Sequence, residues 1–138
     1  MAYKTVFVDS DILLDVFLNR FSHYDSSAEL LLLSENRSYS FYTSVHSLLN
    51  VHYLAKKSFG EKKARAAIKI ITERLAIATE NSQIINQAIS SDFTDFEDAV
   101  QYYAALSIKA NVIVTRNIKD YKQSTIPVLT PEQFLKTL

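Results

Sequence analysis

The chain contains no cysteine, no tryptophan and a single glycine, Gly60. Without cysteine there can be no disulfide, no thiolate zinc site and no cysteine nucleophile. One glycine is too few for a phosphate-cradling P-loop or a dinucleotide fingerprint, because both need several glycines to let backbone approach phosphate. Ligand recognition therefore falls to side chains. Neither charge sign predominates: 15 Lys and Arg balance 15 Asp and Glu, so the molecule as a whole is no magnet for nucleic acid or membrane. The longest aliphatic run, Leu30 to Leu33, is far short of the ~20 residues of a membrane span. Asp9 and Asp11 interrupt the apolar start and no basic segment precedes it, so no signal peptide is expected and the cytoplasm is the expected compartment. A chain of 138 residues can bury one core, which predicts a single domain over 1–138.

What is present alternates. TVFVD (5–9), YSFYT (39–43), LAIAT (75–79), VIVTR (112–116) and PVLT (127–130) are short, apolar, β-rich runs and read as strands. Helical patterns separate them. One starts at Asp11 and a second at Asp25. A third follows a Thr43 or Ser44 cap, and a fourth runs from Gly60 to Arg74. Two more cover NSQIINQAIS and FTDFEDAVQYYAALSIKA, and PEQFLKTL closes with proline at its first helical position. Strands apolar on both faces, joined by helix-length crossovers, predict a three-layer α/β/α fold around a mostly parallel sheet of four to five strands. Ligands of such sheets collect at the carboxyl ends of the strands.

Carboxylates fall at those ends. Asp9 ends the first strand, Asp120 lies five residues beyond Thr115 at the end of the fourth, and Asp98 sits in the first turns of the FTDFEDAV helix. Carboxylates held together raise one another's pKa or recruit a hard cation. Mg²⁺ takes oxygen ligands and needs few protein carboxylates when substrate phosphate completes its shell. Phosphodiester hydrolysis suits such a site, with the metal activating water and stabilising charge on phosphate. Each acid also has a plainer reading. Asp9 could cap the following helix, and so could Asp11, which otherwise stands behind the metal ligands. Asp15, one turn on, reads as solvated. Thr94 and Glu97 fit a capping box, which accounts for Glu97 and leaves Asp98 needing another reason.

From Lys56 to Arg74, seven basic residues face only Glu61 and Glu73, for a net +5. Lys56, Lys57, Lys62, Lys63 and Arg65 are the candidates for tracking an RNA backbone beside the acidic pocket; a solvated helix face is the alternative. His46 and His52 lie six apart on one helix and do not share a face, whereas His46 and Asn50 do. A zinc site is not expected. Tyr102 and Tyr103 read as core.

These residues resemble a known family. VFVDSDILLDVF, SDFTDFEDAVQYYAAL and VIVTRNIKDYKQSTIPVLTPEQFL resemble the opening strand with its first acid, the central-acid helix and the ending of a PIN domain, the metal-dependent ribonuclease fold of many VapC-like toxins. The resemblance runs from Lys4 to about Leu135. It implies an Mg²⁺- or Mn²⁺-dependent endoribonuclease acting on RNA, the toxin half of a type II toxin–antitoxin pair, with an antitoxin protein as partner and a homodimeric state. Carried over by position, Asp9 and Asp98 match the family acids and Thr115 the threonine after the fourth strand. The acid usual on the third helix is here Asn50, and the acid usual two residues after the threonine is here Asn117, with Asp120 substituting. Asp11 stands where the family commonly has asparagine. The expected ligands are thus Asp9, Asp98 and Asp120, supported by Asp11, Asn50, Glu97, Thr115 and Asn117.

Two other readings stay open. Asn50 and Asn117 carry no charge, which favours a non-catalytic PIN-like module that binds RNA or protein through a degenerate metal site. DSDIL echoes the aspartate-x-aspartate start of haloacid-dehalogenase-type phosphatases, but Ile12 and the near absence of glycine argue against that class.

Overall fold

The computed structural model describes residues 3–138. Five strands, β1 (Thr5–Val8), β2 (Ser40–Ser44), β3 (Ala76–Ala78), β4 (Val112–Val114) and β5 (Val128–Leu129), form one sheet in the order β3-β2-β1-β4-β5. Every pairing is parallel. The helices are α1 (Ser10–Phe17), α2 (Tyr24–Leu32), α3 (Val45–Phe59), α4 (Glu61–Arg74), α5 (Ser82–Ile89), α6 (Phe96–Ser107) and α7 (Pro131–Leu135). The expected three-layer parallel architecture is the one observed.

Burial explains why these strands read as unbroken apolar runs. Val6 and Val8 on β1, with Val112 and Val114 on β4, enter a core built with Leu13, Leu30, Val51, Ile71 and Phe134 from α1, α2, α3, α4 and α7. Phe7 and Ile113 point to the opposite face and pack on Tyr102, Ala104 and Ala105 of α6. Strand residues covered on both faces lose all exposed polar positions, so alternation disappears from the sequence.

Topology selects the working edge. The chain steps from β1 outward to β2 and β3, then crosses back to β4 on the other side of β1. The carboxyl ends of β1 and β4 therefore flank the point where the winding direction reverses, the place where an open parallel sheet leaves a crevice. Asp9 follows β1 directly, and its backbone N–H donates to the Val114 carbonyl (3.1 Å).

Three local expectations need correction. The cap of α1 is Asp9, which accepts from Ser10 N, so Asp11 is not the cap. The cap of α6 is Asp95, which accepts from Asp98 N, so the Thr94–Glu97 capping box does not form; placing Asp95 there moves Glu97 to the second helical position, where it cannot reach back to the cap. Asp15 is not solvated. It is fully buried, bridged by Arg116 through Nε (2.9 Å) and a second guanidinium nitrogen (2.7 Å), and it accepts from Ser27 Oγ (2.7 Å). Residues 12 to 15 are all buried, so this short helix has little room for a wet face on that side, and the carboxylate is tolerated because three charge-assisted or hydroxyl donors meet it.

Removing one partner of a buried ion pair strands the other. Asp15→Asn is therefore expected to lower unfolding free energy in urea by about 3–5 kcal/mol, whereas the apolar pair Asp15→Leu with Arg116→Met stays close to wild type; a loss under about 1 kcal/mol for Asp15→Asn would contradict this placement.

Candidate active site at the carboxyl edge

Asp9 is the centre of the arrangement. Its Oδ1 accepts from Ser10 N (2.7 Å) and Gln101 Nε2 (3.2 Å), and its Oδ2 from the hydroxyls of Thr115 (3.1 Å) and Tyr121 (3.0 Å). Four donors from α1, α6, the end of β4 and the turn beyond it meet one carboxylate. That number matches the roughly four acceptor positions of an ionised carboxylate.

Asp11 stands beside it and is held one-sidedly. Its Oδ2 takes Arg116 N (2.9 Å), Thr115 Oγ1 (3.2 Å) and Asn117 Nδ2 (3.3 Å). Its Oδ1 is buried with no hydrogen-bond partner among the described residues. Burial, then the Asp9 charge, raises the Asp11 carboxyl to about 6, against the pull of Arg116 and Thr115. Thr115 has one hydroxyl hydrogen and two carboxylate acceptors, so it can satisfy only one of them fully.

Asp98, half-buried at the start of α6, completes the group. Desolvation raises its carboxyl to about 7, reinforced by the charges of Asp95, Asp120, Asp9 and Glu97. Asp120 and Asp9 are thus near enough for their charges to act on Asp98. Asp120 itself is exposed, on the short 3-10 turn Ile118–Tyr121. Asn50 reaches the same edge, donating to Ser10 Oγ (3.0 Å). Glu97 is mostly exposed and pairs with His46 (3.4 Å); its main effect on Asp98 is through charge.

The basic stretch has a different disposition. Lys56 begins six residues past Asn50 on α3, roughly 9 Å along the helix axis. Lys56 (3.6 Å) and Arg65 (2.6 Å) both pair with Glu61, which His52 also reaches (3.0 Å). Lys57 lies over the Tyr53 ring, 5.4 Å from its centroid. Lys62 and Lys63 make no ion pair among the described residues.

Several groups escaped the sequence reading. Gln101 is 3% exposed; besides Asp9 it donates to Ser47 Oγ (2.7 Å), and its Oε1 accepts from Ser44. The signal was an uncharged amide inside an otherwise apolar helical run. Tyr121 and Arg116 carried no comparable mark, because their roles depend on partners more than 100 positions away.

The donor set suits a hard divalent cation: it consists of carboxylate, amide and hydroxyl oxygens. Asp11 Oδ1, buried and unpartnered, is an acceptor that such an ion or a hydrogen-bond donor would satisfy. Among the described residues, however, no three His, Asp or Glu side chains already stand close enough together to hold one ion. The chemistry fits, and the side chains would have to close on the ion.

Residues 5–119 match the PIN domain. The chain belongs to the PIN domain family. It is 28% identical over 139 residues to Ribonuclease VapC1 of Aquifex aeolicus (strain VF5), covering 97% of this chain and 95% of that one. Among solved structures, the PIN domain chain is similar to DNA-bound VapBC from Salmonella typhimurium (TM-score 0.68, 17% identity, covering 93% of this chain and 98% of that one). It is also similar to Mycobacterium tuberculosis VapC20, a Sarcin-Ricin loop cleaving toxin (TM-score 0.63, 17% identity, covering 78% and 86%).

The one-sided hold on Asp11 has a measurable consequence. A carboxyl raised in the folded state contributes stability that is fully present below its unfolded pKa and is lost as pH rises through the folded value. Asp11→Asn should therefore gain on wild type by about 2 kcal/mol between pH 4 and pH 8 in the presence of chelator. Paired denaturation curves check this, and a pH-independent difference would contradict it.

Proposed function

We propose that this PIN domain protein is an Mg²⁺- or Mn²⁺-dependent endoribonuclease, the toxin of a type II toxin–antitoxin pair, working in the cytoplasm and held in check by an antitoxin protein. The observation that supports this reading is the crowding of carboxylates at the carboxyl edge of β1 and β4: Asp9 and Asp11 share the Thr115 hydroxyl there, and the charges of Asp120 and Asp9 help raise the Asp98 carboxyl. The ribonuclease name of the Aquifex aeolicus relative and the toxin complexes among the structural neighbours support it. No described helix is long and apolar enough to cross a membrane, which is compatible with that compartment. The reading treats residues 1–138 as one catalytic domain.

Asp9, Asp98 and Asp120 would hold the cation, with Asp11, Asn50, Glu97, Thr115 and Asn117 around them. The ion would neutralise charge on the scissile phosphate and lower the pKa of an attacking water. The chain's own part is orientation. Asp9 meets four donors, the Thr115 hydroxyl lies between the two N-terminal acids, and Lys62 and Lys63 offer charge to the RNA backbone outside the acidic edge. Lys56, Lys57 and Arg65 add to that field although Glu61 and Tyr53 engage them.

A second reading has a specific observation behind it. Asn50 and Asn117 use their amides as donors to Ser10 and Asp11, which is what a non-catalytic binding module with a weakened metal site would show. Titration calorimetry with Mn²⁺ separates the two, because a module of that kind takes up no divalent ion at millimolar concentration.

Purified protein is expected to cleave RNA only with Mg²⁺ or Mn²⁺. Asp9→Asn and Asp98→Asn should each reduce kcat by at least about 100-fold. Undiminished cleavage in chelator, or by Asp9→Asn, contradicts the proposal. The paired change Lys62→Glu and Lys63→Glu should raise KM for RNA with kcat unchanged and flatten the salt dependence; an unchanged KM would remove the ridge from the RNA path.

A further inference from the structure

The hold on Asp9 is uneven, and the unevenness identifies which donors matter. Ser10 N, the adjoining N–H at the first position of α1, anchors Oδ1 alone, which leaves the carboxylate free to swing. The Thr115 hydroxyl has a competing acceptor in Asp11 Oδ2 at 3.2 Å, so its single hydrogen does not fix Oδ2. The other two donors have no such freedom.

We propose that Gln101 and Tyr121 are positioning residues that grip Asp9 from opposite oxygens and fix the rotation of its carboxylate at the β1–β4 crevice. The inference rests on the ribonuclease reading above. Gln101 is built for the task. One amide hydrogen goes to Asp9 and the other to Ser47, while its carbonyl takes the Ser44 hydroxyl. Ser44 caps α3 and accepts from Ser47 N at 2.9 Å. The amide is therefore locked to a helix terminus on one side and presented to Asp9 on the other. Tyr121 supplies the second jaw. Its ring is 3% exposed within the core cluster of Phe7, Tyr102 and Ile113, and its phenol meets Oδ2 at 3.0 Å. A carboxylate can only accept, so the phenol hydroxyl is the donor in that contact. Tyr121 also closes the turn bearing Asp120, so the same contact ties one acid to the strand end that carries the other.

Tyr102 provides a matched control. It is 5% exposed in the same cluster, and its hydroxyl bonds Thr125 at 2.9 Å, with no contact to the acids. Tyr121→Phe thus deletes one hydroxyl bond and Tyr102→Phe two, both to Thr125, from one core. For Tyr121→Phe and for Gln101→Met, kcat for RNA should fall about 10- to 100-fold with KM within about twofold, and Mn²⁺ affinity by calorimetry should weaken about fivefold or more. Tyr102→Phe should lose comparable thermal stability while keeping wild-type kcat and Mn²⁺ affinity. If Tyr121→Phe matches Tyr102→Phe in both readouts while wild type binds Mn²⁺ and cleaves RNA, the positioning role is wrong and the ribonuclease reading stands. If wild type neither binds Mn²⁺ nor cleaves RNA, both are overturned.

Discussion

A carboxylate at the end of a buried parallel strand has to be held by donors from other elements, because its own strand has spent its hydrogen bonds on its neighbours. In this protein that carboxylate is Asp9, and α1, α6, β4 and the turn after β4 each send it one donor. Hydrogen bonds to a charged group contribute on the order of 1.5–3 kcal/mol each. The contacts therefore stabilise the docking of the elements as well as the acid. The site and the fold are joined at one atom group.

Around that anchor the remaining acids are held less completely. Asp11 receives every donor on one oxygen, and Asp98 is desolvated within reach of the Asp95, Asp120, Asp9 and Glu97 charges. Both are raised toward neutrality, Asp11 to about 6 and Asp98 to about 7. Perturbation of this kind, at a topological switch point, is the usual mark of a working site. A rigid anchor with incompletely satisfied partners can draw in a cation while keeping its own geometry. The buried Arg116–Asp15 pair supports the same design from behind: the Arg116 side chain grips α1 one turn past Asp11 while its backbone N–H grips Asp11 itself.

The sheet was legible because strands covered on both faces must be apolar throughout, and the helical crossovers between them leave a parallel order as the economical solution. The positions of Asp9 directly after β1, Asp98 in the first turn of α6 and Asp120 in the turn beyond β4 were legible because the element limits were. Asp15 was not, since a helix pattern shows which face a residue is on but not that a guanidinium 101 positions away will meet it. The Thr94–Glu97 capping box failed because Asp95, one residue later, offers a better-placed carboxylate to Asp98 N. Gln101 was half legible: an amide among alanines and tyrosines needs partners in the core, although nothing in the sequence says that Asp9 is one of them.

The substitutions at Asn50 and Asn117 gain a physical meaning from this arrangement. Both amides act as donors, to Ser10 and to Asp11, so they brace the acidic side rather than add to its charge. The negative charge at this edge comes instead from Asp9 and Asp11, which share the Thr115 hydroxyl, and from Asp98, on which the Asp120 and Asp9 charges act. Anomalous diffraction from crystals soaked in Mn²⁺ tests this most directly: the account predicts one strong peak bounded by the carboxylates of Asp9, Asp98 and Asp120, and a crevice without manganese at saturating concentration would contradict it.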